Sequence, residues 1–149
     1  MAQLVEVKGL QELIERMNRY PGELRKSLTL TVTSALIVLW ENVPPYPPPP
    51  ENSGYRRTGT LGRSLGSGFG GGAAGEPDVF TVRPLGAGVE GKFGSRLSYA
   101  PDVIGDTTQK PKFAEYWWTM KTVSNKSAEK IGRLFETLGT KLASFLEGK

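Results

Sequence analysis

A proline tract in the first half of the chain is the feature that most constrains the fold. Six prolines fall within the seven residues 44–50, which read PPYPPPP. Proline lacks a backbone N–H and fixes φ, so neither a helix nor a central strand continues through such a tract. Consecutive prolines favour a stiff polyproline II conformation. We therefore predict an extended arm over residues 44–57, with structured elements on either side.

The segment before the arm predicts two helices. Residues 3–9 read as a short strand or extended arm, and apolar residues then recur at helical spacing until Tyr20. Residues 21–42 contain a strand-like alternation, LTLTVT, but also a longer stripe that only a helix places on one face. We predict a long second helix there, with a second buried side because Leu30, Ile37 and Trp40 lie off the stripe. That side is buried either in the core or in a contact with another subunit. The stripe consists of Leu24, Leu28, Val32, Ala35, Leu36, Leu39 and Val43.

The segment after the arm predicts a small sheet and a last helix. Strand patterns occur at residues 62–69, 79–84 and 88–93, with a flexible glycine-rich loop over residues 66–77. A short turn or helix is expected at residues 98–104. Ser127 is the expected N-cap of an amphipathic helix that ends near Gly148. The whole chain, residues 1–149, is thus predicted to form one α+β domain. The apolar stripe of the last helix consists of Ala128, Ile131, Leu134, Phe135, Leu138, Leu142, Phe145 and Leu146.

Composition excludes several classes of enzyme. The chain has no histidine and no cysteine, so Ser-His-Asp and Cys-His catalysis and Cys-type zinc sites are excluded. The formal net charge of +4 is compatible with contact to DNA or to an acidic protein but requires neither. The longest apolar run, residues 28–39, is too short to span a bilayer, and no secretory leader is recognisable, so we expect no membrane association.

Three glycine-containing motifs fail their chemical tests. GRSLG at residues 62–66 resembles a nucleophile elbow but has no histidine to accept the serine proton. GSGFGG at residues 66–71 resembles a dinucleotide fingerprint, yet a turn and a strand follow it instead of a helix. GAGVEGKF at residues 86–93 lacks the hydroxyl residue that a P-loop needs after its lysine. We therefore reject all three as functional motifs, and we interpret GSGFGG as the tip of a flexible loop.

A fourth motif keeps an enzymatic alternative open. Asp78, Glu90 and Lys92 fit the spacing of PD-(D/E)xK nucleases. In those enzymes two carboxylates hold magnesium and the lysine supports the attacking water or the phosphate charge. On a β-hairpin Glu90 and Lys92 share one face. The alternative interpretation is that an exposed hairpin face carries mixed charges and that Pro-Asp is ordinary turn chemistry.

Two further segments carry competing interpretations. Trp117 and Trp118 stand between lysines in KFAEYWWTMK, where aromatic rings either stack on nucleotides or pack under the last helix. Packing is the favoured interpretation. The YPPPP segment has the spacing of ligands that bind aromatic grooves, although no basic residue flanks it closely. A small DNA-binding module that uses the basic second half of the chain is a third functional class.

The order of segments resembles a known family. A helix pair, a proline-containing arm, YRRTGTLGRSL, a hairpin, SYAPDVIGDTTQ, WWT and an amphipathic helix follow one another over roughly residues 20–146. This order is similar to that of the small tail-completion or neck proteins of long-tailed bacteriophages, also called minor tail components. The proline tract and the GFGGGAAGEP loop are longer than the core pattern of that family. The matching positions are Thr58, Gly59, Leu61, Ser64, Tyr99, Ala100, Pro101, Val103, Gln109, Trp117 and Trp118.

The resemblance implies a structural protein without catalytic residues, metal or cofactor. It implies a ring of six or twelve copies at the head–tail junction of the virion, assembled in the host cytoplasm. Its partners would be further copies, head-completion proteins and tail-terminator or tail-tube proteins, with DNA passing through without sequence specificity. Arg63, Lys92 and Arg96 are candidates to face that DNA. Candidate interface residues are Pro47, Pro48, Tyr55, Arg56, Arg57, Thr58, Gly59, Leu61, Ser64, Trp117 and Trp118. Arg56 and Arg57 are expected to pair with acidic groups of a neighbouring subunit, and the alternative is that they face DNA in the channel.

Overall fold

The computed structural model of the chain describes residues 21–49, 51, 58–86 and 88–147. Within this part the fold is α+β, as predicted: it consists of five helices and one two-stranded antiparallel sheet. The expected strand at residues 3–9 and the first expected helix lie outside the described residues. The helices are α1 (Pro21–Glu41), α2 (Thr60–Ser64), α3 (Ala100–Ile104), α4 (Pro111–Ala114) and α5 (Met120–Leu146). The strands are β1 (Val79–Leu85) and β2 (Gly88–Gly94).

Helix α1 confirms that the helical stripe prevails over the strand-like alternation. Glu23 lies in its first turn, where a carboxylate complements the helix dipole. Ala35, Leu36 and Val38 are buried, and the helix ends just before the proline tract. The prediction of a second side buried in the core is wrong for Leu30, which is 60% exposed; its burial in a subunit contact remains a prediction.

The other two residues predicted on that second side, Ile37 and Trp40, differ in their burial. Ile37 is 38% exposed, so it is not a core residue either. Trp40 is half-buried, and its Nε1 donates a hydrogen bond of 2.8 Å to the carbonyl of Gly66. Its ring meets Phe80 edge-on, with the centroids 6.0 Å apart. Of the three residues, only Trp40 contributes to packing within the described chain.

The hairpin of β1 and β2 confirms two of the three predicted strands. Its register pairs Val82 with Gly91 and Arg83 with Glu90, so Glu90 and Lys92 share one face, as expected. The opposite face packs on α1, and a Cβ added to Gly91 would lie 2.5 Å from Cγ1 of Val32. The missing side chain at Gly91 therefore allows the hairpin to approach α1 closely.

The third predicted strand, residues 62–69, is wrong. Thr60–Ser64 forms α2, and Leu65 contributes only an isolated bridge to Pro77. Gly59 has φ 73° and turns the chain into this helix. The backbone N–H of Gly62 then donates to Oη of Tyr46 at 2.6 Å. The helix at this position thus goes together with a tertiary contact of the Gly62 backbone. The alternation of side chains did not predict it.

Backbone hydrogen bonds tie the glycine-rich loop to the rest of the fold. The N–H of Gly72 donates to the carbonyl of Val43 at 2.8 Å. The N–H groups of Ala74 and Gly75 both donate to the carbonyl of Gly66, each at 2.8 Å. The expected flexibility of residues 66–77 remains a prediction.

Helix α5 starts at Met120, well before the predicted cap. Ser127 is fully buried inside the helix, so its assignment as N-cap is wrong. Its Oγ donates to the carbonyl of Val123 at 2.7 Å and accepts from Nδ2 of Asn42 at 3.2 Å. This contact joins α5 to the end of α1. The predicted end of the helix at Gly148 lies outside the described residues.

The predicted stripe of α5 is only partly buried. Leu138 is buried, and Ile131, Leu134 and Leu142 are half-buried. Ala128 and Phe135 are exposed. The side chains of Phe145 and Leu146 lie outside the described part of the chain. The helix therefore packs mainly through its first half, where Val123 and Ser127 are the most buried residues.

The main core lies where the proline tract, α2 and α3 meet. Its buried members are Val43, Leu61, Leu65, Ala100, Val103 and Ile104. Half-buried aromatic side chains, including Tyr46 and Trp117, pack against this cluster. In the described residues, no helix is both long enough and apolar enough to cross a bilayer.

Candidate functional site

A cleft of about 440 Å³ opens beside the core. Four separate segments of the chain form it: the start of the arm, the turn into α2, α3 and the stretch around α4. Aromatic rings contribute much of its wall. The lining residues are Tyr46, Thr58, Gly59, Thr60, Leu61, Tyr99, Asp102, Val103, Lys110, Lys112, Phe113, Tyr116 and Trp117.

Tyr46 fixes the arm side of the cleft. Its backbone N–H donates to the carbonyl of Phe69 at 2.9 Å, and its Oη accepts from the N–H of Gly62. The ring packs edge-on against Phe69 and Trp117, with centroid distances of 4.8 and 5.0 Å. The arm therefore begins firmly attached to its own chain.

Gln109 fixes the opposite wall. Its Nε2 donates to the carbonyl of Val103 at 2.8 Å and to the carbonyl of Trp117 at 3.2 Å. The N–H of Lys110 donates to the carbonyl of Asp102 at 2.8 Å. These bonds hold α3 and the aromatic segment after α4 in one relative position, so the cleft is preformed.

One of the two lysines at the cleft has a carboxylate partner and the other does not. Nζ of Lys110 lies 3.1 Å from Oδ2 of Asp102. Nζ of Lys112 lies 5.0 Å from the centre of the Phe113 ring, a cation–π distance. Lys112 makes no ion pair with any residue that the structure describes. The cleft thus combines apolar rings with one cation that lacks a carboxylate partner within the described chain.

The structure brings several predicted interface residues together. Thr58, Gly59, Leu61 and Trp117 all line the cleft. Nε1 of Trp118 lies next to it and donates to the carbonyl of Pro45 at 3.2 Å. Both tryptophans pack against the core cluster, and these contacts are with the arm; packing under the last helix remains a prediction.

The remaining predicted interface residues have different outcomes. Ser64 is buried, and its Oγ bonds to the carbonyl of Leu61 and to Oγ of Ser95. It therefore supports the fold and is not available at this surface as an interface residue. Pro47 is half-buried and Pro48 is exposed at the start of the arm. The predicted residues Tyr55, Arg56 and Arg57 lie outside the described residues.

The candidates for DNA contact are exposed, and the side chains of Arg63 and Lys92 have partners within the chain. The guanidinium of Arg63 donates to the carbonyl of Thr58 at 3.0 Å and to Oγ1 of Thr60 at 3.3 Å. Lys92 lies 3.8 Å from Glu90, and the backbone N–H of Arg96 donates to Asp78. Their contact with DNA remains a prediction.

The register of the hairpin separates the nuclease carboxylates. Glu90 pairs with Arg83, which follows Asp78 by five residues, or roughly 16 Å along an extended strand. Arg83 donates a hydrogen bond to Glu90 and holds the pKa of that carboxyl below its usual value. No group of three potential metal-ligating side chains occurs within residues 21–49, 51, 58–86 and 88–147. In this arrangement Asp78 and Glu90 do not share one metal position.

Sequence reasoning missed seven of the cleft residues, among them Thr60, Asp102 and Lys110. Tyr46, Lys112, Phe113 and Tyr116 were not predicted as site residues, although Tyr46 is conspicuous as the only residue that interrupts the prolines. Tyr99 is predicted only as a member of the Tyr-Ala-Pro segment. An aromatic residue between prolines was the available signal, because such a ring has few reasons to occur in a simple spacer.

Comparisons with known proteins do not supply a function. No family model, no curated protein and no solved structure matches the chain. The cleft and the segments that form it are therefore the only basis for inferring a function from the described residues.

Proposed function

We propose that this chain is a structural virion protein of the head–tail junction of a long-tailed bacteriophage. It acts as a tail-completion or neck component, assembles as a ring of six or twelve copies, and joins tail to head while DNA passes through. Its partners are further copies, head-completion proteins and tail-terminator or tail-tube proteins. It acts by docking, without catalysis, first in the host cytoplasm and then in the virion.

The observation that supports this proposal is the convergence of the resembling segments. Thr58, Gly59 and Leu61 come from one segment, Tyr99 and Val103 from a second, and Trp117 from a third; all line the same cleft. Short motifs far apart in a sequence are expected to recur together when they form one surface.

The chemistry of the cleft favours contact with a protein. Exposed aromatic rings are enriched at protein interfaces, because their burial releases a large apolar area. Tyr99 is 43% exposed, and Phe113 and Tyr116 are half-buried. The rings are therefore accessible to a partner.

The proposal is tested in a phage genome in which this reading frame is interrupted. Electron micrographs are expected to show separate heads and tails, and the wild-type gene supplied in trans is expected to restore joined particles. Complete particles from the interrupted genome would overturn the proposal.

The Asp78→Ala variant distinguishes docking from the nuclease alternative. We expect it to restore joined particles as well as the wild type does, because no catalytic carboxylate is required. Purified wild-type protein is expected to leave supercoiled plasmid intact in magnesium. Nicking that Asp78→Ala abolishes would favour the nuclease instead.

A further inference from the structure

We infer that the cleft binds the proline run Pro47, Pro48 and Pro49 of a second copy of this chain, with Glu51 of that copy beside Lys112. The inference rests on the proposed function, since it names the contact that joins neighbouring subunits of the ring. It identifies both the donor segment and the acceptor surface.

The shape and chemistry of the cleft fit this donor. Grooves lined with aromatic rings bind polyproline II segments, because flat rings pack against the ridges of the proline helix. Tyr99, Phe113 and Tyr116 supply accessible rings on one side of the cleft. A proline run is already restricted in φ, so it loses little conformational entropy when it docks.

The proline run does not fill the cleft of its own chain. Pro48 and Pro49 are exposed, and the cleft lining includes none of the three prolines. Tyr46, directly before the run, is itself part of the cleft wall. A polyproline segment extends by roughly 3.1 Å per residue and does not fold back within three residues. The run is therefore absent from the lining of its own cleft, and a second copy supplies the acceptor.

Charge complementarity gives the contact a direction. Glu51 is exposed and makes no ion pair in the described part of the chain. Lys112 at the cleft likewise makes no ion pair there. A docked run that places Glu51 beside Lys112 pairs the two charges, whereas the reversed orientation leaves both unpaired.

The contact is of the type that generates rings. The donor run and the acceptor cleft are different surfaces, so each copy can donate to one neighbour and accept from another. Such a head-to-tail contact closes into a ring when the rotation between copies divides a full turn. Each copy therefore carries both of the surfaces that a head-to-tail ring requires.

Single-cysteine variants test the contact in the full chain, because the natural sequence contains no cysteine. Pro48→Cys protein is mixed with Tyr116→Cys protein and treated with a short bifunctional thiol cross-linker. Pro48→Cys mixed with Thr140→Cys, which lies on the exposed surface of α5, is the matched control. We expect at least tenfold more linked dimer from the first mixture. Equal yields from the two mixtures would overturn the inference.

A chain carrying both Pro48→Cys and Tyr116→Cys distinguishes contact between copies from contact within one copy. We expect linked species larger than a dimer, since each copy then carries donor and acceptor. Linkage confined to single chains at every protein concentration would overturn the inference.

A peptide provides a readout that does not require the protein to self-associate. The peptide YPPPPE is titrated onto the full chain while tryptophan fluorescence is recorded, and YAAAAE is the control peptide. We expect YPPPPE to bind at least tenfold more tightly than the control, and Tyr99→Ala with Tyr116→Ala to weaken it about tenfold. Equal binding of the two peptides would contradict the inference.

The outcomes separate the inference from the proposed function. Separate heads and tails from the interrupted genome, together with failure of the cross-linking and peptide tests, would overturn the inference alone. Cross-linking and peptide binding as expected, together with complete particles from the interrupted genome, would overturn the proposed function alone.

Discussion

The outer face of the hairpin and the cleft differ in how their groups are paired. On the hairpin, Glu90 lies 2.6 Å from Nε of Arg83 and 3.8 Å from Nζ of Lys92. The three charges of that face are therefore all paired within the chain, with one positive charge in excess. At the cleft, Lys112 has no carboxylate partner among the described residues, and Tyr99 remains 43% exposed. A second molecule therefore gains more free energy by binding at the cleft than at the hairpin.

The two surfaces differ in the free energy that a partner gains by covering them. Exposed ion pairs contribute little, about 0–1 kcal/mol, because water solvates the separated charges well. An aromatic side chain buries roughly 150–250 Å² and dominates the energetics of interfaces. Docking at the hairpin would break existing pairs, whereas docking at the cleft would bury accessible rings. Variants of the core, the cleft and the hairpin should therefore have separable effects.

The largest expected effect on folding comes from the core beneath the cleft. Leu65 is 1% exposed, so Leu65→Ala is expected to lower the free energy of unfolding by about 2–5 kcal/mol. Tyr99→Ala at the cleft is expected to change it by less than about 0.5 kcal/mol, as is usual for exposed positions. Urea unfolding followed by circular dichroism measures both. If Tyr99→Ala lowered the free energy of unfolding as much as Leu65→Ala does, the Tyr99 ring would belong to the core and not to a separate surface.

An intermediate effect is expected at the junction of α1 and α5. Ser127→Ala removes the hydrogen bond to Asn42, whose Nδ2 keeps only the carbonyl of Val38 at 3.0 Å as its described partner. We expect a loss of about 1 kcal/mol in the free energy of unfolding. Ser144→Ala, at an exposed position of the same helix, is the control for helix propensity. Equal values for the two variants would show that the Asn42 contact contributes nothing.

The smallest effect is expected on the hairpin. The pKa of Glu90 is lowered in the folded chain by its hydrogen bond to Arg83. The ionised carboxylate therefore contributes stability above its unfolded pKa, and this contribution is lost as the pH falls through the lowered folded value. Glu90→Gln should make the urea midpoint less dependent on pH in the acidic range, whereas Glu136→Gln on the exposed face of α5 should not. An unchanged pH dependence in Glu90→Gln would show that the pair with Arg83 does not stabilise the fold.

Periodicity predicted those elements whose residues form one continuous pattern. Helix α1 and the hairpin follow from their own side chains, since their faces repeat at the helical or strand period. The start of α5 did not follow, because the burial of Ser127 depends on Asn42, 85 residues earlier in the chain. Helix α2 did not follow either, since the left-handed turn at Gly59 and the bond from Gly62 to Tyr46 are not visible in an alternation of side chains.

Only part of the cleft was predictable from the sequence. Thr58, Leu61 and Trp117 were identified because they belong to segments that resemble a family. Tyr46 and Lys112 were not identified, because a tyrosine in a proline tract and a lysine among others become site residues only when distant segments meet. Tertiary contact, not local sequence, decides which residues share the cleft.

The most direct measurement of the central claim is the fraction of tails joined to heads in particles made with altered cleft or hairpin residues. The phage with the interrupted gene is supplied in trans with Tyr99→Ala together with Tyr116→Ala, or with Arg83→Ala on the hairpin as the matched surface control. We predict separate heads and tails from the cleft variant and normally joined particles from the hairpin variant. Normally joined particles from a folded cleft variant would contradict the claim that this surface assembles the head–tail junction.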